Sequence, residues 1–312
     1  MLFAAGLVLA AISGASDGAA LVALAIPARV VPAIVALLIL VVAIAFVPLL
    51  VGTAVATTLA EGLVPLSAVR DGGAIMRVAV ATALTVVFLL SRRGLPSSMT
   101  VALVGATVGA AMAWGEPIAW PTVARVAGIG LLAPLVSAAL GLLALRVLGR
   151  LSGSRRIGRS LSIVGVPAFV AQAVAYAAND AQRMTAVLAV ADGSGRVVAR
   201  LDHQIAIAAL FGVGVLAGIV RIAQRLTRQV MLVRPAHAVS SEGASALVVL
   251  ASAAGGIPVS MTQAVTASVI GAGIAEAPHR IRWREPIRIA AAWLFAPVLA
   301  GLVGAAAAGI VR

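Results

Sequence analysis

Two short polar patterns each occur twice in this chain, set in apolar surroundings and repeated at nearly constant spacing. Gly14-Ala15-Ser16-Asp17 returns as Ala177-Ala178-Asn179-Asp180. Leu95-Pro96-Ser97-Ser98-Met99-Thr100 returns as Ile257-Pro258-Val259-Ser260-Met261-Thr262. Asp17 and Asp180 are 163 positions apart, and Pro96 and Pro258 are 162 apart. Gly109 and Gly271 keep the second offset, Pro134 and Pro297 the first. A duplicated plan with a carboxylate and a Pro-Ser/Thr break in each copy implies a secondary transporter whose site lies where the repeats meet.

The surroundings decide the class. The chain is 62% hydrophobic and 11% charged, whereas soluble domains carry about 45–50% apolar and roughly 25% charged residues. Runs such as Val31 to Val55 and Val123 to Leu145 exceed the ~20 apolar residues a bilayer crossing needs. The net charge is +13, and Arg supplies all of the Lys+Arg count. These arginines sit mostly in short loops between apolar runs, the pattern of positive-inside topology rather than of a nucleic-acid surface. With no Cys, disulfides and thiolate metal sites are excluded. His203, His237 and His279 are scattered without ligand spacing, and no nucleophile–base pair stands out. Neither an enzyme nor a prosthetic cofactor is expected. The first apolar stretch lacks a basic leader, so it is expected to remain as a membrane helix.

The clearest boundary is 149–160, where Arg150, Arg155, Arg156 and Arg159 alternate with Ser and Gly. It reads as a basic cytoplasmic linker between a first repeat (1–148) and a second (161–312). The second repeat contains a crossing at 161–191 broken by Asn179-Asp180, a crossing at 205–220, an out-and-back pair at 244–275, and a last crossing at 287–311. An odd number of crossings forces the other repeat into the opposite orientation. The expected fold is therefore an all-α polytopic membrane protein. It has two inverted repeats of about five crossings each, with re-entrant or broken helical hairpins. A further re-entrant segment is expected near Thr53 to Ser67.

A carboxylate inside a membrane costs at least ~2.5–3.5 kcal/mol, so it needs a partner or a task. Asp17 and Asp180, flanked by Ser16 and Asn179, read as cation ligands or proton carriers; a structural hydrogen bond between halves is the alternative. The Pro-Ser-x-x-Thr segments look like helix starts, where Ser97, Ser98, Thr100, Ser260 and Thr262 cap the helix or face a ligand. Two such starts converging at mid-membrane would attract one anion. Arg183 follows Asp180 by three residues and has no counterpart in the first half, where Ala20 stands. It pairs with Asp180, meets the substrate, or neutralises an acid for stability. Glu61 and Glu242 either join a cation pathway or cap helices. Gly105, Gly109, Gly271 and Gly273 suit close helix packing. Trp114, Trp120 and Trp283 suit the membrane interface.

These motifs resemble those of the inorganic phosphate transporter (PiT) family, as in a divergent bacterial member. Ala177-Ala178-Asn179-Asp180-Ala181-Gln182 is similar to the family's Gly-Ala-Asn-Asp signature. Gly94-Leu95-Pro96-Ser97-Ser98 and Gly256-Ile257-Pro258-Val259-Ser260-Met261-Thr262-Gln263 resemble its two hairpins. The resemblance spans nearly the whole chain. It implies a symporter of the bacterial plasma (inner) membrane, embedded in lipid, that imports inorganic phosphate with Na+ or H+ by alternating access. It also implies a homodimer, with no nucleic-acid partner. Carried over by position, Asp17, Asn179 and Asp180 would shape the cation and anion sites, with Na+ at Asp17 and Asp180. Ser97, Ser98, Thr100, Ser260, Thr262 and Gln263 would line the hairpins. The chain departs from the pattern at Ser16, Met99, Met261, Val101 and Gln263. These departures bear on substrate and coupling ion. Sulfate or another tetrahedral oxyanion is the alternative cargo, and a passive channel or non-transporting scaffold the alternative class.

Overall fold

The computed structural model describes residues 1–28, 31–93, 95, 97–229 and 233–311, without the side chains of 27, 28, 151–160, 162, 220–229 and 280. Pro96, placed above at a helix start, lies outside the described residues.

Every long element is helical, as lipid demands: backbone groups without water must bond within their own segment. The helices are α1 (Leu2–Ser13), α2 (Ala19–Ala28), α3 (Ala33–Val51), α4 (Ala54–Thr57), α5 (Gly72–Arg92), α6 (Met99–Trp114) and α7 (Trp120–Ala178). Then follow α8 (Gln182–Asp192), α9 (Leu201–Gln229), α10 (Pro235–Ala254), α11 (Met261–Glu276) and α12 (Arg284–Val311). Widened π turns occupy Gly14–Gly18, between α1 and α2, and Thr58–Gly62, after α4. Large apolar side chains such as Leu50, Leu135, Leu216, Phe295, Leu302 and Ile310 point outward. That surface suits lipid and would be a liability in water.

Among the described residues, six helical stretches are long and apolar enough to cross a membrane: 2–26, 33–51, 72–92, 120–150, 201–219 and 284–311. This is fewer than the ten crossings expected from the sequence. The remainder fall short for physical reasons. α6 and α11 have 16 residues each, under the ~20 that span a bilayer. α10 buries His237, Ser240, Ser241 and Glu242 near its start. The segment 161–191 is cut between Ala178 and Gln182, where Asn179 leaves helical geometry (φ −123°, ψ −74°).

The segment 149–160, read above as a basic cytoplasmic linker, is helical and continues α7. A straight helix of the length of α7 would measure about 88 Å. Yet Ser137 donates to Ala264 O on α11 and Gln172 donates to the Ser245 hydroxyl on α10, while Ser241 of α10 lies 2.9 Å from Ser268 of α11. A straight helix would hold Ser137 and Gln172 about 52 Å apart, so the helix bends back. Thr53 to Ser67 forms the short α4, a π turn and irregular turns. It is tied down by Gln182, whose amide donates to Gly52 O (3.0 Å) and accepts from Ala56 N–H (2.9 Å). Thr58 also donates to Gly256 O (2.6 Å).

Glycines bring selected helices into backbone contact. A Cβ at Gly14 would overlap the carbonyl oxygen of Phe211 on α9; one at Gly214 or Gly218 would overlap Ala11 or Ala15. On α6, Gly105 and Gly109 lie against the carbonyls of Pro297 and Gly301 of α12. On the other side of the molecule, Gly271 of α11 lies against Ala138 of α7, and Gly141 of α7 against Ser268. Without a hydrophobic drive between helices in lipid, this close approach is what holds them together. Trp114, read as an interfacial anchor, donates to Ala308 O (2.8 Å) and joins α6 to α12.

Candidate functional site

The break after α7 exposes backbone and frees Asn179 to act as a clasp. Its amide donates to Ile257 O (3.0 Å), and its oxygen accepts from Val259 N–H (3.1 Å). The extended segment entering α11 is thereby fixed against the end of α7. Asp180, next in sequence, accepts from the Met261 N–H at the first turn of α11 (3.0 Å). A carboxylate at a helix N-terminus is favoured by the unpaired N–H groups and the dipole. Its other oxygen accepts from the Thr100 hydroxyl, on the first turn of α6 (3.3 Å). One carboxylate thus bridges both hairpin helix starts.

Arg183, in the first turn of α8, is the largest fully buried side chain among the described residues. One terminal nitrogen donates to Asp180 Oδ1 (2.9 Å) and Thr100 Oγ1 (2.7 Å). The other donates to Asp17 Oδ2 (2.5 Å), Ser13 Oγ (3.0 Å) and the Tyr176 hydroxyl (3.4 Å). The guanidinium therefore sits between the two acids and touches five oxygens from α1, the first π turn, α6, α7 and the α7–α8 break. Charged hydrogen bonds of this kind are the strong ones, and their planar geometry fixes the donors. With both acids ionised the cluster sums to −1. Arg183 Nε and Ser97 Oγ are buried without a hydrogen-bond partner among the described residues.

The two helix starts are built alike. Ser98 accepts from Val101 N–H and Ser260 from Gln263 N–H, each at 3.3 Å. Both serines are N-caps, and Gln263 contributes its backbone. Replacing Ser98 or Ser260 by Ala is expected to lower stability by about 1 kcal/mol each, read as a drop in melting temperature of the detergent-solubilised protein. The threonines differ. Thr100 enters the Arg183 cluster, whereas Thr262 bonds the Ser260 hydroxyl (3.0 Å).

The other sequence candidates divide. Ser16 donates back to Ile12 O (2.9 Å) and lies 3.4 Å from Asp17 Oδ1. Glu61 binds the Ser67 hydroxyl (2.8 Å) and amide, so it closes a turn and stands apart from the cluster. Glu242 is buried on α10 and, among the described residues, its Oε1 accepts no hydrogen bond and none joins it to the Arg183 cluster. Ser13 and Tyr176 join this buried cluster and were not among the sequence candidates. A signal existed: each precedes an acid by four residues, one helical turn, and they share the 163-residue offset.

A multi-pass helical membrane protein built around a buried ionic centre is the class these features define. The model of the phosphate transporter family matches residues 13–173 and again 154–304, and the chain belongs to that family. A probable low-affinity inorganic phosphate transporter of Mycobacterium tuberculosis is 30% identical over 283 residues, covering 83% of this chain and 65% of that relative. One from Bacillus subtilis is 22% identical over 272 residues, covering 84% and 82%. A solved structure, the sodium-dependent phosphate transporter, matches the fold with a TM-score of 0.80 at 17% identity, over 99% of this chain and 98% of that one. This chain thus spans just under two thirds of the mycobacterial relative's length.

Proposed function

We propose that this chain imports inorganic phosphate across the bacterial plasma membrane by alternating access, driven by a cation gradient of Na+ or H+. The observation that carries the reading is the ionic cluster. Asp180 links the first turns of α6 and α11, and a buried guanidinium stands beside them, in a chain whose family is that of phosphate transporters. An oxyanion would sit where these helix starts converge, drawn by their N–H groups and by the free Arg183 Nε–H and Ser97 hydroxyl. Bringing an anion to a cluster that sums to −1 when both acids are ionised is costly at mid-membrane, which favours carrying a positive charge with it.

The inverted-repeat reading belongs to this proposal, with halves 1–148 and 161–312 about the basic linker on the cytoplasmic side. Its support is the matched construction of the two parts. The caps Ser98 and Ser260 share the 162-residue offset. So do the glycines in two backbone contacts, Gly109 with Gly301 and Gly271 with Ala138. The partners Ala138 and Gly301 are themselves 163 apart. A homodimer is implied by the family resemblance.

Reconstituted in proteoliposomes, the protein is expected to take up radiolabelled phosphate against its gradient when an inward Na+ or H+ gradient is imposed. Excess unlabelled phosphate should compete, and sulfate should compete weakly. Strong competition by sulfate would shift the cargo to that anion, and current without saturation would indicate a channel.

A further inference from the structure

We infer that Arg183 is a tethered cation: it fills the position between Asp17 and Asp180 where a co-transported Na+ would bind, so transport by this chain does not require Na+. The inference rests on the transport reading above and names the charge that the two acids hold.

The geometry carries it. A Na+ ion is a hard cation and needs several oxygens converging on one point. The oxygens that converge here are Asp17 Oδ2, Asp180 Oδ1, Thr100 Oγ1, Ser13 Oγ and the Tyr176 hydroxyl. All five are within 3.4 Å of an Arg183 terminal nitrogen. A Na+ ion there would have to displace a buried guanidinium whose two terminal nitrogens already donate to these five oxygens. Among the described residues neither Glu61, which is turned to Ser67, nor Glu242 is hydrogen-bonded to this cluster to receive the freed cation. Unlike an ion, the guanidinium is bound to α8 and cannot leave with the cargo. The charge is therefore present through the whole cycle and needs no gradient to load it.

The choice of Arg fits this task. Its guanidinium stays protonated at any physiological pH and spreads its charge over a planar fork. One nitrogen is thereby given to each acid. The symmetric position in the first half is Ala20, so a single cation serves both carboxylates.

Two measurements test this. Purified wild-type protein is expected to show no saturable binding of radioactive Na+ that depends on Asp17. Removing the side chain in Arg183→Ala leaves five oxygens around the space that the two terminal nitrogens filled, so this variant is expected to bind Na+ saturably and to lose that binding in Asp17→Asn/Arg183→Ala. Na+ binding by wild type that Asp17→Asn abolishes would overturn the inference. So would an Arg183→Ala protein of native size and helicity that binds none.

The second measurement uses wild type alone and so survives poor folding of the variant. Phosphate counterflow in proteoliposomes is expected to change by less than about twofold when choline replaces Na+ on both sides, because an ion that binds no state biases none. A loss of about tenfold or more would overturn the inference. Absence of counterflow in both media would instead sink the transport reading, and Na+ binding alone would then decide the role of Arg183.

Discussion

Asp180→Asn is expected to abolish phosphate uptake and to destabilise the folded protein by about 3 kcal/mol, the scale of breaking a buried ion pair. Every group facing this carboxylate is a donor: the Thr100 hydroxyl and an Arg183 nitrogen on one oxygen, the Met261 amide on the other. Asn offers one acceptor and one NH2. In either orientation its NH2 faces a donor, and a buried donor is left unpaired, which by itself costs about 1–3 kcal/mol. The link between α6 and α11 through one side chain is then lost. Uptake in proteoliposomes and thermal unfolding in detergent, measured on one preparation, check both parts. Wild-type uptake by Asp180→Asn would remove this carboxylate from the mechanism.

Gly14→Val is expected to prevent assembly almost completely. Gly14 opens the π turn that carries Asp17, and its Cα faces the Phe211 carbonyl, so a Cβ meets backbone that no rotamer can move away. Gly214 and Gly218 are held against Ala11 and Ala15 in the same interface. α9 would have to move outward, drawing Asp17 from Arg183. The loss expected is of monodisperse protein after detergent extraction, with uptake lost in proportion. The control is Gly128→Ala on α7, where a Cβ meets nothing within 4 Å. That change is expected to be neutral or to stabilise by up to about 1 kcal/mol, since Ala is the better helix former. Equal yields of the two variants would show that the π-turn contact is dispensable.

The centre of the site was legible in the sequence because charges are rare here. Asp17, Asp180 and Arg183 stand out against apolar runs, and the cost of burying them marks them as partners or tools. The helix break at Asn179 was legible for the same reason. Ser13 and Tyr176 were not, because neither carries charge. A serine in an apolar helix usually bonds its own backbone, and a lone tyrosine reads as core. Their role appears only when the i,i+4 relation to each acid is put on a real helix. The two Asp motifs also proved unlike in form: one sits in a continuous helix widened to a π turn, the other in a true break. Sequence offset equates them, but the clasp made by Asn179 exists only in the second, where the first has Ser16. Of about ten crossings expected, six described stretches have the length and hydropathy of a full crossing; α6 and α11 are apolar but shorter, a distinction that depends on where Ser98 and Ser260 start their helices. Glu61 drew attention as an acid beside apolar residues, yet the turn at Ser67 satisfies it.

The glycine contacts join parts of the chain that the sequence keeps apart. α6, which precedes the bend in α7, is held by α12 at the far end of the chain, and α11 is held by the early part of α7. The molecule is stitched crosswise, so it cannot open along its own midpoint. In the alternating-access cycle proposed above, whatever swings would be a mixed body, with lengths of chain drawn from both sides of residues 149–160, and the seam along which it parts would be invisible to anyone dividing the polypeptide in two.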